Sequence, residues 1–432
     1  MPFRIETEWI EADGVRGAEL AATWASLLIG VDDEIVTRVV DERARTVRDH
    51  VYVPLYVLAE WLVSNWWFLF HEVENPAKED NPVFARRHAL GVSREGYAFP
   101  NLQVAPAGAR IHLVWTPDRL DSAGIEFLRE GQAWMDSDEF RGSCYELVDR
   151  VIRRLSALGV EGTLLQEEWA AIQAAGADES KFCRVAAGLG WDPYALNDAE
   201  RAAVLRLEDV LNEAVLEEAV AMLDADDLDA EVEALVDALE TGKTASLPLE
   251  RLRAARTAIQ PAAGGSPWDA GYRLAQLLRR QLKLDGAPLA SMADLGRAIG
   301  EDPDAVENVT QPRHFGAAVL LDGVVTSDAN GHPAFAIRHG RDEARRFRFC
   351  RGLAEVLVAP GSDALLTQAR SDRQQGSRAF AAEFLAPSSG LRARVSGGVV
   401  GEEDVDALAA EFGVSPWLVA HQLRNHGIAR IR

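Results

Sequence analysis

The chain is poor in cysteine and in basic residues, and it lacks an unbroken apolar run. Each shortage removes a class of protein. Its three cysteines, Cys144, Cys183 and Cys350, stand far apart and form no CxxC pair. That argues against a disulfide framework or a structural zinc module and suits a reducing cytosol. Lysine and arginine total 45 against 68 aspartates and glutamates, a net charge of −23. So acidic a surface repels phosphate backbones, which disfavours non-specific nucleic-acid binding while leaving room for a local basic patch. The most membrane-like stretch, "YVPLYVLAEWLVSNWWFLF" at 52–70, is interrupted by Glu60, Ser64 and Asn65, whereas a bilayer asks for roughly 20 apolar residues. It reads as a buried helix that starts near Pro54. The opening "MPFRIETEWIEADG" has neither the basic nor the apolar region of a signal peptide, so the expected location is cytoplasmic.

Two ligand loops are also missing. "ETGKT" at 240–244 ends like a phosphate-binding loop, but Asp237 stands where its first glycine belongs and no apolar strand precedes it. Asp224 and Asp226 begin like a calcium loop, yet Leu228 occupies a ligand position. "HEVEN" at 71–75 starts like HExxH and ends in Asn75.

What is present is a soluble, mixed pattern. A chain of 432 residues is too long for one ordinary core, and 48% hydrophobic content with mixed charge predicts a multidomain α+β protein. Residues 1–135 read as a mixed α/β module, with strands in "FRIETEWI", "RTVRDHVYVP" and "GYAFPNLQVAPAGARIHLVWTP". Trp61, Trp66 and Trp67 on the apolar helix are expected to pack it on a sheet rather than line a pocket. Residues 136–245 read as an acidic helical region, with Asn197 and Glu200 placed as a capping box. "IQPAAGGSPW" at 259–268 is the sharpest break in composition, and 246–265 is expected to be a linker.

Residues 266–432 carry the chemistry of interest. Helical patterns in "DAGYRLAQLLRRQLKL" and "SMADLGRAIG" are followed by paired strands in "HFGAAVLLDGVV" and "HPAFAIRH". Then come two helices, "DEARRFRFCRGLAEVLV" and "RAFAAEFLAP", the second stopped by Pro387, and a tail of two helices joined at Gly413-Val414-Ser415. The arginine–phenylalanine opening "RRFRF", the "FAAEFLAP" helix end and "LAAEFGVSPWLVAHQL" resemble the ImmA/IrrE family of metallopeptidases. That resemblance implies a zincin-like α+β fold over 266–432. It also implies a family that typically cleaves helix-turn-helix repressors in stress, mobile-element or defence control.

In that family the first of these helices carries HExxH. Two histidines at i and i+4 hold zinc and the glutamate activates the bound water. Here Arg351 stands at the first histidine, Gly352 at the glutamate and Glu355 at the second histidine, with Leu353 and Ala354 between. The third ligand is expected as a glutamate just before "FAAEFLAP", where this chain has Gln374, Gln375 and Gly376 and no carboxylate nearer than Asp372. A permanently protonated guanidinium offers no lone pair to a metal. Arg351 and Glu355 are themselves an i, i+4 pair, and a salt bridge between them is expected to fill the space.

The reading is therefore a pseudo-peptidase, without zinc or other cofactor, that binds or regulates a protein partner such as a helix-turn-helix regulator. A cleft near Arg351, Glu355 and Arg378, or strand addition to a sheet edge, would receive the partner. Two alternatives stay open. One is a zinc peptidase with a rebuilt site drawing on His314, His339 and Cys350, although Cys350 is turned about 100° from the old ligand position. The other is a DNA-binding regulator using "CRVAAGLGWDPYAL" or the C-terminal helix pair.

Overall fold

The computed structural model of the protein describes residues 3–12, 14–74, 81–257, 265–395 and 397–432. It is mixed α+β and divides into two compact units, Met1–Val204 and Leu205–Arg432. The acidic helical region expected at 136–245 is therefore shared between them.

In the first unit, Arg4–Trp9, Trp24–Val31, Glu34–Ile35 and Val51–Pro54 form one antiparallel sheet. Asn101–Pro106, Arg110–Thr116 and Gly131–Asp136 form another. The strict alternation of buried and half-buried residues along Asn101–Pro106 is that of a strand with one face on a core. The apolar 52–70 stretch becomes the end of a strand followed by helices Leu55–Ser64 and Trp66–His71. Trp61, Trp66 and Trp67 are buried in the core, Trp66 against Phe70 and Trp169. Among the described residues no helix is long and apolar enough to cross a membrane. The helix Ser137–Ala157 is capped by Asp136, whose carboxylate accepts from the backbone of Asp138 and Glu139. Its buried face (Phe140, Leu147, Val151 and Leu155) joins the same core. Helix Ala177–Gly188, which holds the first six residues of "CRVAAGLGWDPYAL", turns Cys183 and Ala187 into that core too. Asn197 and Glu200 exchange the two capping-box hydrogen bonds.

The second unit is built on a four-stranded sheet in the order Pro312–Arg313, Pro333–Arg338, Leu321–Ser327, Ala364–Thr367, antiparallel apart from the first pair. The central strands are buried on both faces, as strands covered by helices must be. A side chain added at Gly242, at the end of helix Leu228–Gly242, would meet Val324 and Thr326. One added at Gly352 would meet Val325 and Phe335. Because neighbouring residues of a strand face opposite ways, the two helices cover opposite sides of the sheet. The segment expected as a linker carries helix Glu250–Arg256 and pairs with the sheet through the Leu247 N–H to the Pro333 carbonyl at 2.9 Å. The remainder of that break, 258–264, lies outside the described residues.

Four further helices position the site: a cap helix Glu213–Val220, a lead helix Pro267–Leu282, a second helix Asp372–Leu385 and a tail helix Pro416–Asn425. The lead and second helices cross at glycines. A Cβ on Gly271 would stand 2.2 Å from the Gly376 carbonyl oxygen, so no other residue fits there without separating them.

Candidate functional site

The helix with the degenerate motif spans Asp342–Val358, and we call it the site helix. Asp342 and Glu343 in its first turn suit the positive end of the helix dipole. From Phe349 to Leu357 it is buried throughout, which brings Arg351 inside at 1% exposure. An ion there needs hydrogen-bonding partners, and Arg351 has them. Its Nη1 donates to Asp322 Oδ2 at 2.7 Å, its Nη2 donates to the Thr367 carbonyl at 2.7 Å and to Gln374 Oε1, and its Nε reaches Ser377 Oγ at 3.4 Å. Asp322 is held on its other oxygen by Arg348 Nε at 3.0 Å.

The expected salt bridge between Arg351 and Glu355 does not form. Glu355 instead accepts from Arg373 Nε at 2.6 Å. The sheet and the second helix bring stronger partners to each residue than the weakly oriented i, i+4 pair offers. Of the three residues standing where the third ligand was expected, Gln374 is the one that faces Arg351.

Gln374 also closes the edge of the sheet. Its Oε1 accepts from the Thr367 N–H at 2.8 Å and its Nε2 donates to the Leu365 carbonyl at 2.7 Å. Residues 365 and 367 are alternate positions of the edge strand, so one carboxamide occupies a donor and an acceptor that an added strand would need. Arg351 and Arg378 take the Thr367 carbonyl beside them. Strand addition is blocked at this edge.

The cap helix supplies a residue from far upstream. Glu218 accepts from Ser371 Oγ at 2.6 Å and from Gln374 Nε2 at 2.8 Å. Burial pushes its carboxyl above the ordinary value of 4.5, against the hydrogen bonds from Ser371 and Gln374 and the charges of Arg373 and Arg351. Burial likewise raises Glu355, against Arg373. A carboxyl raised in the folded state stabilises fully below its unfolded pKa, and that contribution is lost as pH rises through the raised value. The advantage of the wild type over Glu218→Gln in urea unfolding is thus expected to be larger at pH 4.5 than at about pH 7.5. An advantage that grows with pH contradicts this assignment.

The other singled-out residues are dispersed. His314 and His339 come together at the exposed end of the sheet, rings stacked with centroids 5.2 Å apart. Cys350 is buried in the core, its thiol pushed up to about 12 by burial. Arg378 lines a groove to which Arg351 and Glu355, both buried, do not contribute. The zinc that the resemblance implies does not fit these residues. The oxygens around Arg351 already accept from guanidinium and amide groups, and among the described residues no three His, Cys, Asp or Glu side chains are grouped to hold a metal.

The family model of the IrrE N-terminal-like domain matches residues 338–424. This region is an ImmA/IrrE-like domain. No curated protein and no solved structure matches the chain. The match begins at the last residue of the strand Pro333–Arg338 and runs into the tail helix, taking in the site helix, the edge strand and the second helix. Two carboxylates that meet the ImmA/IrrE-like domain's core lie outside it, Asp322 and Glu218, and sequence reasoning missed both. Asp322 had a signal, a lone charge inside the apolar run "VLLDGVV". Glu218 had none, being one acidic residue among several on a helix remote in sequence.

Proposed function

We propose that the protein is a pseudo-peptidase: an ImmA/IrrE-like domain that binds or regulates a protein partner without hydrolysing it. The observation that carries this reading is Arg351. At the first zinc-ligand position the chain places a fixed organic cation, and Asp322, Thr367, Gln374 and Ser377 are arranged around it. Water activation has no base either, because Gly352 stands at the position of the catalytic glutamate, where a Cβ would already press on Phe335 and Val325. A helix-turn-helix regulator is the partner class that the family resemblance suggests, and the regulatory setting rests on that resemblance alone.

Metal analysis of the purified full chain, beside a peptidase assay on a denatured and a helix-turn-helix substrate, tests this. The expected result is zinc well below stoichiometric and no cleavage. Stoichiometric zinc whose chelation abolishes cleavage overturns it.

A further inference from the structure

A groove of about 840 Å³ opens between the lead helix, the second helix and the tail helix, within the range of ligand sites. Beneath it lies a buried carboxylate with several partners. Buried Glu383 accepts from Gln276 Nε2 at 3.1 Å, from Gln422 Nε2 at 2.9 Å and from Ser388 Oγ at 2.8 Å, with His426 Nε2 3.2 Å away. Burial pushes this carboxyl up, but hydrogen bonds from His426, Ser388 and Gln276 outweigh it and hold it below the usual range.

The walls differ. Trp268, Tyr272, Phe347 and Trp417 give apolar faces. Trp417 is 69% exposed, resting on His421 at 3.9 Å between ring centroids. Arg378 is mostly enclosed and, among the described residues, donates to main-chain carbonyls, those of Thr367 and Ala369. Burial, with repulsion from Arg351 and Arg370, pushes it down to about 10, against the attraction of Asp322 and Glu218. Asp322 and Glu218 act on it through their charge, but among the described residues no carboxylate is in hydrogen-bonding contact with this guanidinium, so its side towards the groove can still take an anionic ligand. Among the described lining residues the carboxylate able to answer it is Asp269, which accepts from Ser266 Oγ at 2.6 Å. Tryptophan, tyrosine and arginine together are the residues on which protein contacts concentrate their binding energy.

We propose that this groove binds a short acidic peptide segment, a carboxylate meeting Arg378 and an aromatic or branched side chain lying on Trp417. A polyanion such as single-stranded nucleic acid also stacks on aromatic rings, but it carries a charge at every nucleotide and meets far more repulsion from a chain of net charge −23 than a short segment with one or two carboxylates does. The proposal deepens the pseudo-peptidase reading by giving the chemistry of the partner, and relies on it for the partner being a protein.

The test pans a phage-displayed random dodecapeptide library against the full chain. The best peptide is then made with a fluorescent label for anisotropy. Enriched sequences are expected to pair Asp or Glu with an aromatic or branched residue. Trp417→Ala, at an exposed position that leaves the fold intact, is expected to weaken binding about 10-fold or more, as is Arg378→Gln or an Asp-to-Lys exchange in the peptide. Failure to enrich, enrichment of basic sequences, binding unchanged in Trp417→Ala, or displacement by an oligothymidylate overturns the proposal. Zinc measured on the same preparation reports separately on the pseudo-peptidase reading, so either can fail without the other.

Discussion

Arg351→Ala is expected to lower the unfolding free energy by about 3–5 kcal/mol, the range for removing one partner of a buried ion pair. The change deletes a cation that is 1% exposed and leaves Asp322 Oδ2 without the guanidinium 2.7 Å away. Some of the loss is cushioned. Asp322 keeps Arg348, the Thr367 carbonyl keeps Arg378, and Gln374 keeps the Thr367 N–H. The side chain's aliphatic stem is lost as well, so packing adds to electrostatics. Arg351→Met retains that stem, and combining it with Asp322→Asn is expected to recover part of the loss, a coupling of about 1–3 kcal/mol. Urea unfolding of wild type, Arg351→Met, Asp322→Asn and the double variant measures it, with Arg351→Ala alongside. If Arg351→Ala lies within about 1 kcal/mol of wild type, an ordinary value for a substitution, the guanidinium is not the keystone claimed for it.

Installing the family's HExxH motif is expected to destabilise the unit rather than create a zinc site. The variant is Arg351→His, Gly352→Glu, Glu355→His. A Cβ at Gly352 would stand 3.0 Å from the Phe335 ring and 3.2 Å from Val325. Both are buried, and Phe335 is fixed edge-on against Phe349 with centroids 5.0 Å apart. A glutamate side chain adds more atoms and a charge in the same space, at an expected cost of about 3 kcal/mol or more. Glu355→His also strips Arg373 of its carboxylate, and Gln374 remains an amide where a third anionic ligand is needed. Gly352→Glu alone should account for most of the damage, and the double variant without it should be the milder one. Near-ultraviolet circular dichroism and metal analysis read the outcome. A folded triple variant with stoichiometric zinc contradicts this account of the site.

The two expectations explain why the site was half legible. The positions in question were visible at once, because HExxH has a fixed spacing and the family pieces around it hold their order. Their new occupants were visible too. Their partners were not. An arginine at i and a glutamate at i+4 suggest each other, since within one helix no nearer neighbour exists. The structure gives Arg351 to a strand and to the second helix, and gives Glu355 to Arg373. Gln374 looked like a lost ligand, whereas its carboxamide finishes the sheet edge.

By itself, then, the sequence determined the order of helices and strands in its last third, the helix stop at Pro387, a resemblance to the ImmA/IrrE family over 266–432 that the family model carries over 338–424, and the presence of Arg351, Gly352 and Glu355 at the HExxH positions. Periodicity, capping residues and residue chemistry are local, and they act over a few neighbours. Only the tertiary structure decided that Glu218, from a helix outside the matched region, closes over Ser371 and Gln374, that Asp322 holds Arg351, and that a groove bearing Arg378 and Trp417 opens on another face. Those depend on which distant segments meet. Buried charges take whichever partners the packed elements bring within hydrogen-bonding reach, and spacing along the chain does not encode that choice.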